Sequence, residues 1–436
     1  AWTARSVTLP TYPFQRERHW LDAPTPEAPT AEATPQTSHY RLRWSPAEGG
    51  EFGELDELAA QEAVGAELLE GVALLGELDE LDELIDDAFD GRGEAQRVRA
   101  LAQLRGVPDT IIAAFIGDDP LETTTRALAL IHGWLADDSL ADTRLVLLTR
   151  QAIAARPGEE VLDLAAAPIW GLLRSVQREA PERRATLIDI DDTRASQVAL
   201  PAALLLDEDQ LLLREGQRLV GRLELVGRPK PSNNKRGMGS LGGPSALGTV
   251  LITGGTSGLG AIVARHLVDN HGVRQLLLVS RRGPDTPGSD VLRDELEAHG
   301  AQVKLAACDV ANRDAVAALL ASMDPTHPLT AIVHTAGVLD DALLPELGER
   351  RLARVFAPKV SAASHLHELT LDLNLRGFVQ DPDTREVELR PELERGIDAM
   401  LAQIASDPTM IRLSFFLPAN ASRTQVETAD ALTDLV

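Results

Sequence analysis

Residues 109–228 alternate between short apolar runs and longer segments in which apolar residues recur with a helical spacing. Short runs rich in Ile, Leu and Val predict buried strands, and the segment between the first two runs predicts a helix. The predicted strands lie at 110–115, 144–149 and 186–190, with the helix at 121–135. The glycines of this region are scattered, so we predict a structural α/β subdomain without a cofactor loop.

After residue 248 the same alternation repeats four times. The predicted strands are 249–253, 275–280, 302–308 and 331–335, and the helical segments between them include 291–299 and 313–323. Strands that alternate with helices predict a parallel, doubly wound sheet with right-handed crossovers. A ligand of such a sheet binds at the carboxyl edge, where the strand order reverses between strands one and four.

Residues 51–94 are acidic, with 16 acidic residues and one basic residue, Arg92. Apolar residues from Leu68 to Phe89 recur at steps of three and four, which predicts amphipathic helices with acidic outer faces. Such a segment is either a solvated helical surface or an element for pairing and dimerisation.

Composition narrows the class of protein. The formal net charge of −25 argues against a nucleic-acid partner, because a phosphate backbone needs a basic surface. A single cysteine, Cys308, excludes an internal disulfide and fits a reducing cytosol. No apolar run approaches the roughly 18 residues that span a bilayer. No signal peptide is visible, and the start without Met indicates a piece of a larger protein.

The proline-rich residues 23–38 and the polar residues 229–247 predict linkers.

The strand at 249–253 runs directly into a glycine-rich turn. Residues 254–260 are Gly-Gly-Thr-Ser-Gly-Leu-Gly, and residues 261–268 continue with the i,i+4 spacing of a helix. This order predicts dinucleotide binding, since glycine lets the backbone approach a pyrophosphate and the helix N-terminus supplies free N–H groups. The alternative is an ordinary turn between a strand and a helix.

The end of the second predicted strand carries Ser280, Arg281 and Arg282 where a site selective for NAD holds a carboxylate. Two guanidinium groups suit a ribose 2′-phosphate, so the sequence predicts NADPH as the cofactor. The alternative is a pair of solvated surface arginines. Asp309 follows the third strand, where its carboxylate could accept a hydrogen bond from an adenine amino group. Residues 335–337 end the fourth strand with a second loop of small residues.

Four motifs, at 253–260, 280–283, 308–310 and 334–338, together resemble the short-chain dehydrogenase/reductase family and are most similar to the ketoreductase domain of modular polyketide synthases. Residues 9–20 resemble the linker that follows the acyltransferase in those synthases, and residues 40–44 and 167–175 resemble parts of the non-catalytic half of the ketoreductase. The resemblance implies two Rossmann-like subdomains with doubly wound parallel sheets, plus an acidic helical insertion. The implied domains are the linker and spacer at 1–38, a structural subdomain at 39–228 with the acidic segment 51–94, a linker at 229–247, an NADPH-binding subdomain at 248–375 and an unassigned segment at 376–436.

The resemblance also assigns roles to single residues. The residues implied to bind the cofactor are Thr253, Gly254, Thr256, Ser257, Gly258, Leu259 and Gly260 at the pyrophosphate, Ser280, Arg281 and Arg282 at the 2′-phosphate, Asp309 and Val310 at the adenine, and Thr335, Ala336 and Gly337 in the loop after strand four. Lys359 matches the family's active-site lysine, which binds the nicotinamide ribose; the alternative is a solvated lysine. Leu339, Asp340 and Asp341 resemble the signature of B-type ketoreductases, which form the 3R alcohol; the alternative is a polar loop.

The implied reaction is the NADPH-dependent reduction of a β-ketoacyl thioester on an acyl carrier protein to a β-hydroxyacyl thioester. The implied partners are that acyl carrier protein and the neighbouring ketosynthase and acyltransferase domains, and a homodimer through the parent synthase is compatible with the resemblance. We expect a cytoplasmic location, no metal, and neither a membrane nor a nucleic acid as partner.

The sequence departs from the family where a catalytic serine and tyrosine should lie. The family places the serine at the end of strand five and the tyrosine further on, whereas residues 376–383 turn polar here and the chain has no tyrosine after Tyr40. Residues 393–404 predict a helix and residues 410–417 a strand, too little for the remaining strand–helix units. The alternative function is a reductively inactive ketoreductase that serves as a structural or nucleotide-binding scaffold.

Overall fold

The computed structural model describes residues 39–47, 71–76, 95–156, 159–226, 248–373, 375 and 377–380. Most of the predicted linkers and acidic helices, and the helix and strand predicted after residue 390, lie outside the described residues. Strands and helices of the described part build two mainly parallel sheets, one before and one after residue 247.

Among the described residues, the first sheet has eight strands. They are β1 (His39–Pro46), β2 (Val72–Leu75), β3 (Gln96–Val98), β4 (Thr110–Ala114), β5 (Arg144–Arg150), β6 (Ala185–Ile190), β7 (Gln210–Arg214) and β8 (Gln217–Val226). Their order in the sheet is β1-β8-β7-β6-β5-β4-β2-β3. Strand β8 runs antiparallel to both of its neighbours, and the other pairs are parallel.

Three helices cover this sheet: α1 (Pro120–Ala136), α2 (Pro168–Glu179) and α3 (Arg194–Leu204). Successive residues of a strand point to opposite faces, so Ile111 packs with α1 and α2 while Ile112 packs with α3. Both faces are therefore buried, which explains why the centres of β4 to β6 are runs of apolar residues rather than an alternation of apolar and polar ones. Helix α1 begins at Asp119, whose side chain accepts a hydrogen bond from the Glu122 N–H at 2.7 Å and caps the helix.

The second sheet has five parallel strands in the part of the chain that the structure describes. They are β9 (Thr249–Thr253), β10 (Gln275–Ser280), β11 (Gln302–Ala307), β12 (Leu329–His334) and β13 (Gly377–Gln380), in the order β11-β10-β9-β12-β13. The helices between β9 and β12 are α4 (Gly258–His271), α5 (Ser289–Ala298) and α6 (Arg313–Ala321). The chain moves outward from β9 to β11 and then returns to the other side of β9 at β12. This reversal opens a crevice at the carboxyl ends of β9 and β12.

The predicted fold class is confirmed: the described chain has two Rossmann-like halves with parallel sheets. The strands predicted around the glycine-rich turn agree with β9 to β12 to within a few residues. The apolar runs at 110–115, 144–149 and 186–190 correspond to β4, β5 and β6.

The helical prediction for the acidic segment is wrong at Val72–Leu75. These four residues form β2, which pairs in parallel with β3 and β4, and all four are buried. Val72 and Leu74 pack on one face of the sheet, and Ala73 and Leu75 on the other. A strand that is buried on both faces needs a continuous apolar run, and such a run cannot be distinguished from part of a helix by its spacing.

The start of the polar segment after residue 375, which the sequence left unassigned, has a regular structure. Residues Gly377–Gln380 form β13, which pairs in parallel with Ala331–His334 of β12. Backbone hydrogen bonds make this pairing, and they are available whatever the polarity of the side chains. The second sheet therefore extends past the boundary predicted at residue 375.

None of the helices in the described part of the chain combines the length and the apolar character that a bilayer-spanning helix requires.

Candidate active site

The glycine-rich turn passes directly over the loop that follows β12. Gly254 has φ +67°, and a Cβ built there would lie 3.0 Å from the Ala336 nitrogen. A Cβ on Gly260 would lie 2.4 Å from the Gly254 carbonyl oxygen and 2.7 Å from Thr335 Oγ1. Gly258 differs, because its φ is +52° but no atom lies within 4 Å of a Cβ built there. Gly254 and Gly260 thus permit close packing, and Gly258 faces open space.

That open space lies at the N-terminus of α4. Ser257 is the N-cap residue, and its hydroxyl makes no capping hydrogen bond. The N–H groups of the first helical turn have no carbonyl partner within the helix, and the helix dipole favours an anion at this end. Backbone donors, open space and the absence of a Cβ at Gly258 together fit a pyrophosphate group.

The side chains of Thr253 and Thr335 lie beneath the turn rather than facing this space. Both are buried, and the Thr335 hydroxyl donates a hydrogen bond to the Thr253 carbonyl oxygen at 2.5 Å. The Ala336 N–H donates to Thr253 Oγ1 at 3.2 Å. These two predicted cofactor residues hold the loops of β9 and β12 together, so they shape the site from below.

The loop after β10 presents Arg281 and Arg282, both exposed. Ser280 fixes the start of this loop, since its Oγ accepts a hydrogen bond from the Gly283 N–H at 2.9 Å and lies 3.0 Å from Thr286 Oγ1. No carboxylate occurs in residues 280–283. The geometry therefore suits a ligand with a negative charge near the end of β10.

Thr286 connects this arginine loop to the glycine-rich turn. The buried Thr256 hydroxyl donates to Thr286 Oγ1 at 3.3 Å, and Thr286 in turn contacts Ser280. A row of three hydroxyl groups therefore joins the two predicted phosphate-binding loops. Thr286 had no predicted role, because its partners are six and thirty residues away in the sequence.

The predicted adenine residues follow β11. Asp309 is exposed, and its Oδ1 accepts a hydrogen bond from the Ala311 N–H at 3.1 Å. The Val310 side chain is buried in the hydrophobic cluster beneath, so only its backbone could contact an adenine. Burial, followed by the nearby Asp309 carboxylate, raises the pKa of Cys308. Its thiol therefore stays protonated and packs as an apolar group.

Lys359 lies in an irregular stretch of the long helix after β12. Helix α7 (Glu349–Phe356) continues through a π-helical segment (Ala357–Ser361) into α8 (Ala362–Glu368). Pro358 has no N–H, and its ring displaces the carbonyl of the residue four positions earlier, which accounts for the irregularity. Lys359, the predicted catalytic lysine, is half-buried in this π-helical segment.

His334 connects β12 to the π-helical segment. The ring is completely buried; Nδ1 lies 2.6 Å from Thr253 Oγ1, and Nε2 lies 2.8 Å from the Pro358 carbonyl oxygen. Burial lowers the pKa of His334 to about 4, so the ring is neutral at neutral pH. The sequence placed His334 in a motif but gave it no role, since its partners are 81 and 24 residues away.

The loop with Leu339, Asp340 and Asp341 lies between β12 and α7. The carboxylate of Asp340 is paired with Arg351 and, at 3.2 Å, with Arg354, both on α7. Asp341 is exposed and Leu339 is partly buried. Asp340 therefore fastens the predicted stereocontrol loop to the helix that leads to Lys359.

Leu344 fixes the same loop to the first half of the protein. Its side chain is 2% exposed and packs into the core cluster under α1 and α2. Its N–H donates to Glu179 Oε2 at 2.8 Å, and its carbonyl accepts a hydrogen bond from His132 Nε2 at 2.7 Å. The first half thus positions a loop of the second, a contact that the sequence did not predict.

The described part of the chain contains neither a cluster of metal ligands nor the catalytic tyrosine of the family. Residues 39–47, 71–76, 95–156, 159–226 and 248–380, apart from 374 and 376, hold no group of three or more His, Cys, Asp or Glu side chains arranged as a metal site. The described serines near Lys359 are Ser361, in the π-helical segment, and Ser364, which donates to Glu368 at 2.9 Å. The phenol of a catalytic tyrosine cannot come from this region, since the sequence has none after Tyr40.

Family comparisons match both halves. The KR domain family matches residues 248–380, and the Rossmann fold domain of the polyketide synthase extender module SpnB matches residues 25–223. The KR match ends with the last residue of β13.

Two proteins with similar sequences are polyketide synthase proteins, in agreement with these family matches. The spectinabilin polyketide synthase system protein NorA' of Streptomyces orinoci is 50% identical over 254 residues, which is 58% of this chain and 7% of that protein. Polyketide synthase GfsA of Streptomyces halstedii is 39% identical over 365 residues, 80% of this chain and 4% of that protein. This chain thus spans less than a tenth of the length of either relative.

Solved ketoreductase structures resemble this chain over most of its length. A-type ketoreductases from a modular polyketide synthase have a structure 34% identical in sequence, with a TM-score of 0.64, covering 80% of this chain and 75% of theirs. The chain therefore belongs to the ketoreductases of modular polyketide synthases.

Proposed function

We propose that this chain binds NADPH at the carboxyl edge of its second sheet and serves the reduction of a β-ketoacyl thioester to a β-hydroxyacyl thioester. The observation that carries the proposal is the glycine-rich turn. Gly254 and Gly260 pack against the β12 loop where no Cβ fits, while Gly258 leaves open space at the N-terminus of α4. Membership in the ketoreductase family supports a nicotinamide dinucleotide as the ligand.

NADPH rather than NADH follows from the loop after β10. Arg281 and Arg282 are exposed beside the site, and residues 280–283 offer no carboxylate to a ribose 2′-hydroxyl. Guanidinium groups bind phosphate through charge-assisted, bidentate hydrogen bonds. The two arginines therefore favour the phosphorylated ribose.

The bound cofactor would supply a hydride to the β-carbon of the ketoacyl chain. In the proposal Lys359 binds the nicotinamide ribose and the backbone of the glycine-rich turn binds the pyrophosphate. The Leu339–Asp341 loop, which Asp340 and Leu344 hold in place, guides the ketone so that the 3R alcohol forms. The substrate reaches the site on an acyl carrier protein, and the ketosynthase and acyltransferase of the same synthase are further partners.

The absence of a tyrosine after Tyr40 supports a second candidate function. The sequence has no tyrosine after Tyr40, and the KR match ends at Gln380. A developing alkoxide needs a proton donor, and in this family the donor is a tyrosine. The chain on its own would then be a nucleotide-binding scaffold that does not reduce the ketone.

One experiment tests both functions. NADPH is titrated by its fluorescence against the chain, and NADPH oxidation is followed with a soluble β-ketoacyl thioester. Binding with oxidation supports the reductase, and binding without oxidation supports the scaffold. The absence of binding, with the chain folded by circular dichroism, would contradict both.

A further inference from the structure

A continuous row of hydrogen bonds runs from the glycine-rich turn to the helix that carries Lys359. The Ala336 N–H donates to Thr253 Oγ1, Thr253 Oγ1 lies 2.6 Å from His334 Nδ1, and His334 Nε2 lies 2.8 Å from the Pro358 carbonyl oxygen. Thr253 and His334 are completely buried. Water therefore does not compete for these bonds.

The direction of each bond follows from the chemistry of the groups. A carbonyl oxygen only accepts, so His334 Nε2 carries the hydrogen and donates it to Pro358. Nδ1 of a neutral ring must then accept, and the Thr253 hydroxyl donates to it. The same hydroxyl accepts from Ala336. One tautomer of His334 thus satisfies every group in the row.

The acceptor at Pro358 is available because of the π-helical segment. In a regular α-helix the Pro358 carbonyl would accept the N–H of Ala362, four residues later. Here the Ala362 N–H bonds to the Ala357 carbonyl instead. The carbonyl next to Lys359 is thereby left for a partner outside the helix, and His334 is that partner.

We propose that His334 is a positioning residue, which holds the π-helical segment against the cofactor loops and so sets the place of Lys359 at the nicotinamide end of the site. This inference deepens the proposed function and rests on it for the role of Lys359. The proposed contact itself does not require cofactor. Loss of the hydrogen bond from Nε2 should displace Lys359 and leave the loop with Arg281 and Arg282 in place.

The test uses two substitutions that each keep one end of the ring. In His334→Gln the side-chain amide reaches the position of Nε2 and can still donate to Pro358. In His334→Asn it reaches only the position of Nδ1, so the bond to Thr253 is kept and the bond to Pro358 is lost. The pair separates the proposed role from a general effect of removing a buried ring.

The first measurement needs no cofactor. The chain has four lysines, Lys230, Lys235, Lys304 and Lys359, so dimethylation with ¹³C-formaldehyde gives four lysine signals in the NMR spectrum. Lys359→Arg identifies the signal of interest, and exposed Lys304 on β11 is an internal control. We expect His334→Asn to shift the Lys359 signal and His334→Gln to restore it, with Lys304 unchanged. Equal spectra for wild type and His334→Asn, or equal shifts in both variants, would overturn the proposal.

The second measurement compares two ligands. His334→Asn is expected to weaken NADPH binding about fivefold, the effect of one hydrogen bond, and to leave adenosine 2′,5′-bisphosphate unaffected. In a Lys359→Ala background the same substitution should change NADPH binding no further, because the effect passes through Lys359. Equal weakening of both ligands would show a general loosening and reject the inference.

Failure of the proposed function gives a different pattern. A wild-type chain that binds neither ligand contradicts the dinucleotide site, while the lysine spectra still report whether His334 positions Lys359. Should His334→Asn not fold, Thr253→Val removes the hydroxyl that donates to Nδ1 and so fixes the His334 tautomer in which Nε2 donates to Pro358. The proposal then expects a shifted Lys359 signal in Thr253→Val, and an unshifted signal would contradict it.

Discussion

At Gly260 the glycine-rich turn has no room for even one methyl group. An added Cβ would lie 2.4 Å from the Gly254 carbonyl oxygen, which belongs to the backbone and cannot rotate away. Gly260→Ala should therefore push the turn off the β12 loop. We expect NADPH binding to weaken at least about tenfold and the free energy of unfolding to fall by about 1–3 kcal/mol. Fluorescence titration and urea unfolding measure the two effects.

Gly348 provides the matched control for that substitution. No atom lies within 4 Å of a Cβ built there, and the residue is the N-cap of α7 with extended backbone. Serine is favoured at such a position, so Gly348→Ser should leave stability and NADPH binding unchanged or slightly improved. Equal losses in Gly260→Ala and Gly348→Ser would contradict the close packing of the turn.

Arg281 and Arg282 are predicted to select the cofactor. Replacing both with alanine removes two charge-assisted contacts to a 2′-phosphate, which we expect to weaken NADPH binding about 100-fold. NADH has no such phosphate, and its binding should not change. Titration of the double variant with each cofactor is the measurement. A parallel loss for NADPH and NADH would indicate that the arginines act on something other than the 2′-phosphate.

At the scale of elements, buried charged groups occupy the carboxyl ends of β6 and β7 in the first sheet. The buried guanidinium of Arg214 pairs with Asp189 Oδ2 at 2.6 Å and donates to the Ile153 carbonyl at 2.9 Å. The other carboxylate oxygen of Asp189 accepts hydrogen bonds from Thr149 and Ala152. These protein groups fill the carboxyl end of the strands, where a doubly wound sheet binds its ligand.

Removal of Arg214 from this ion pair should destabilise the folded state. Burial raises the pKa of Asp189, and attraction to Arg214 is the largest influence that opposes the rise. Arg214→Met leaves a buried carboxylate without a counter-charge, so we expect the free energy of unfolding at pH 8 to fall by about 3–5 kcal/mol. Urea unfolding measures it. Arg222→Met, which removes the exposed pair with Glu208, is the control and should change stability by less than about 1 kcal/mol.

The pH dependence of Arg214→Met has a definite sign. In the variant the pKa of Asp189 in the folded state lies further above its ordinary value of 3.8, because Arg214 no longer lowers it. At a pH between these two values, the folded chain therefore binds a proton that the unfolded chain does not. Between those two pKa values stability is lost as the pH rises and gained as it falls. The variant should therefore come closer to the wild type at pH 5 than at pH 8. A larger deficit at pH 5 would contradict a buried, uncompensated Asp189.

At the scale of the whole molecule, Leu344 connects the two halves. Leu344→Ala removes a side chain that is buried in the core of the first half, and we expect the free energy of unfolding to fall by about 2–5 kcal/mol. Leu343, its neighbour, is 64% exposed, so Leu343→Ala should change stability by no more than about 0.5 kcal/mol. Similar losses for the two variants would contradict the packing of Leu344.

The tryptophans allow the halves to be followed separately. Three of the five, Trp44, Trp134 and Trp170, lie in the first half; with Trp2 and Trp20 replaced by Phe, the fluorescence reports the first half while circular dichroism reports both. If Leu344 couples the halves, thermal transitions from the two signals should coincide in the wild type and separate in Leu344→Ala. Coincident transitions in Leu344→Ala would show that other contacts keep the halves together.

Local pattern was enough to predict the second sheet up to β12 and its glycine-rich turn. The strands there are short apolar runs, and the glycines of the turn follow β9 directly in sequence. The same rules failed at Val72–Leu75 and at Gly377–Gln380. Both are short strands whose state depends on neighbouring strands, which a local pattern does not contain.

By itself the sequence determined the family, the order of the second sheet from β9 to β12, the glycine-rich turn after β9, the paired arginines and the lack of a tyrosine after Tyr40. Only the tertiary structure decided which groups hold these parts in place. His334 meets Pro358 and Leu344 meets Glu179 across 24 and 165 residues of chain. Contacts of that kind arise from how strands and helices pack, and no spacing along the chain encodes them.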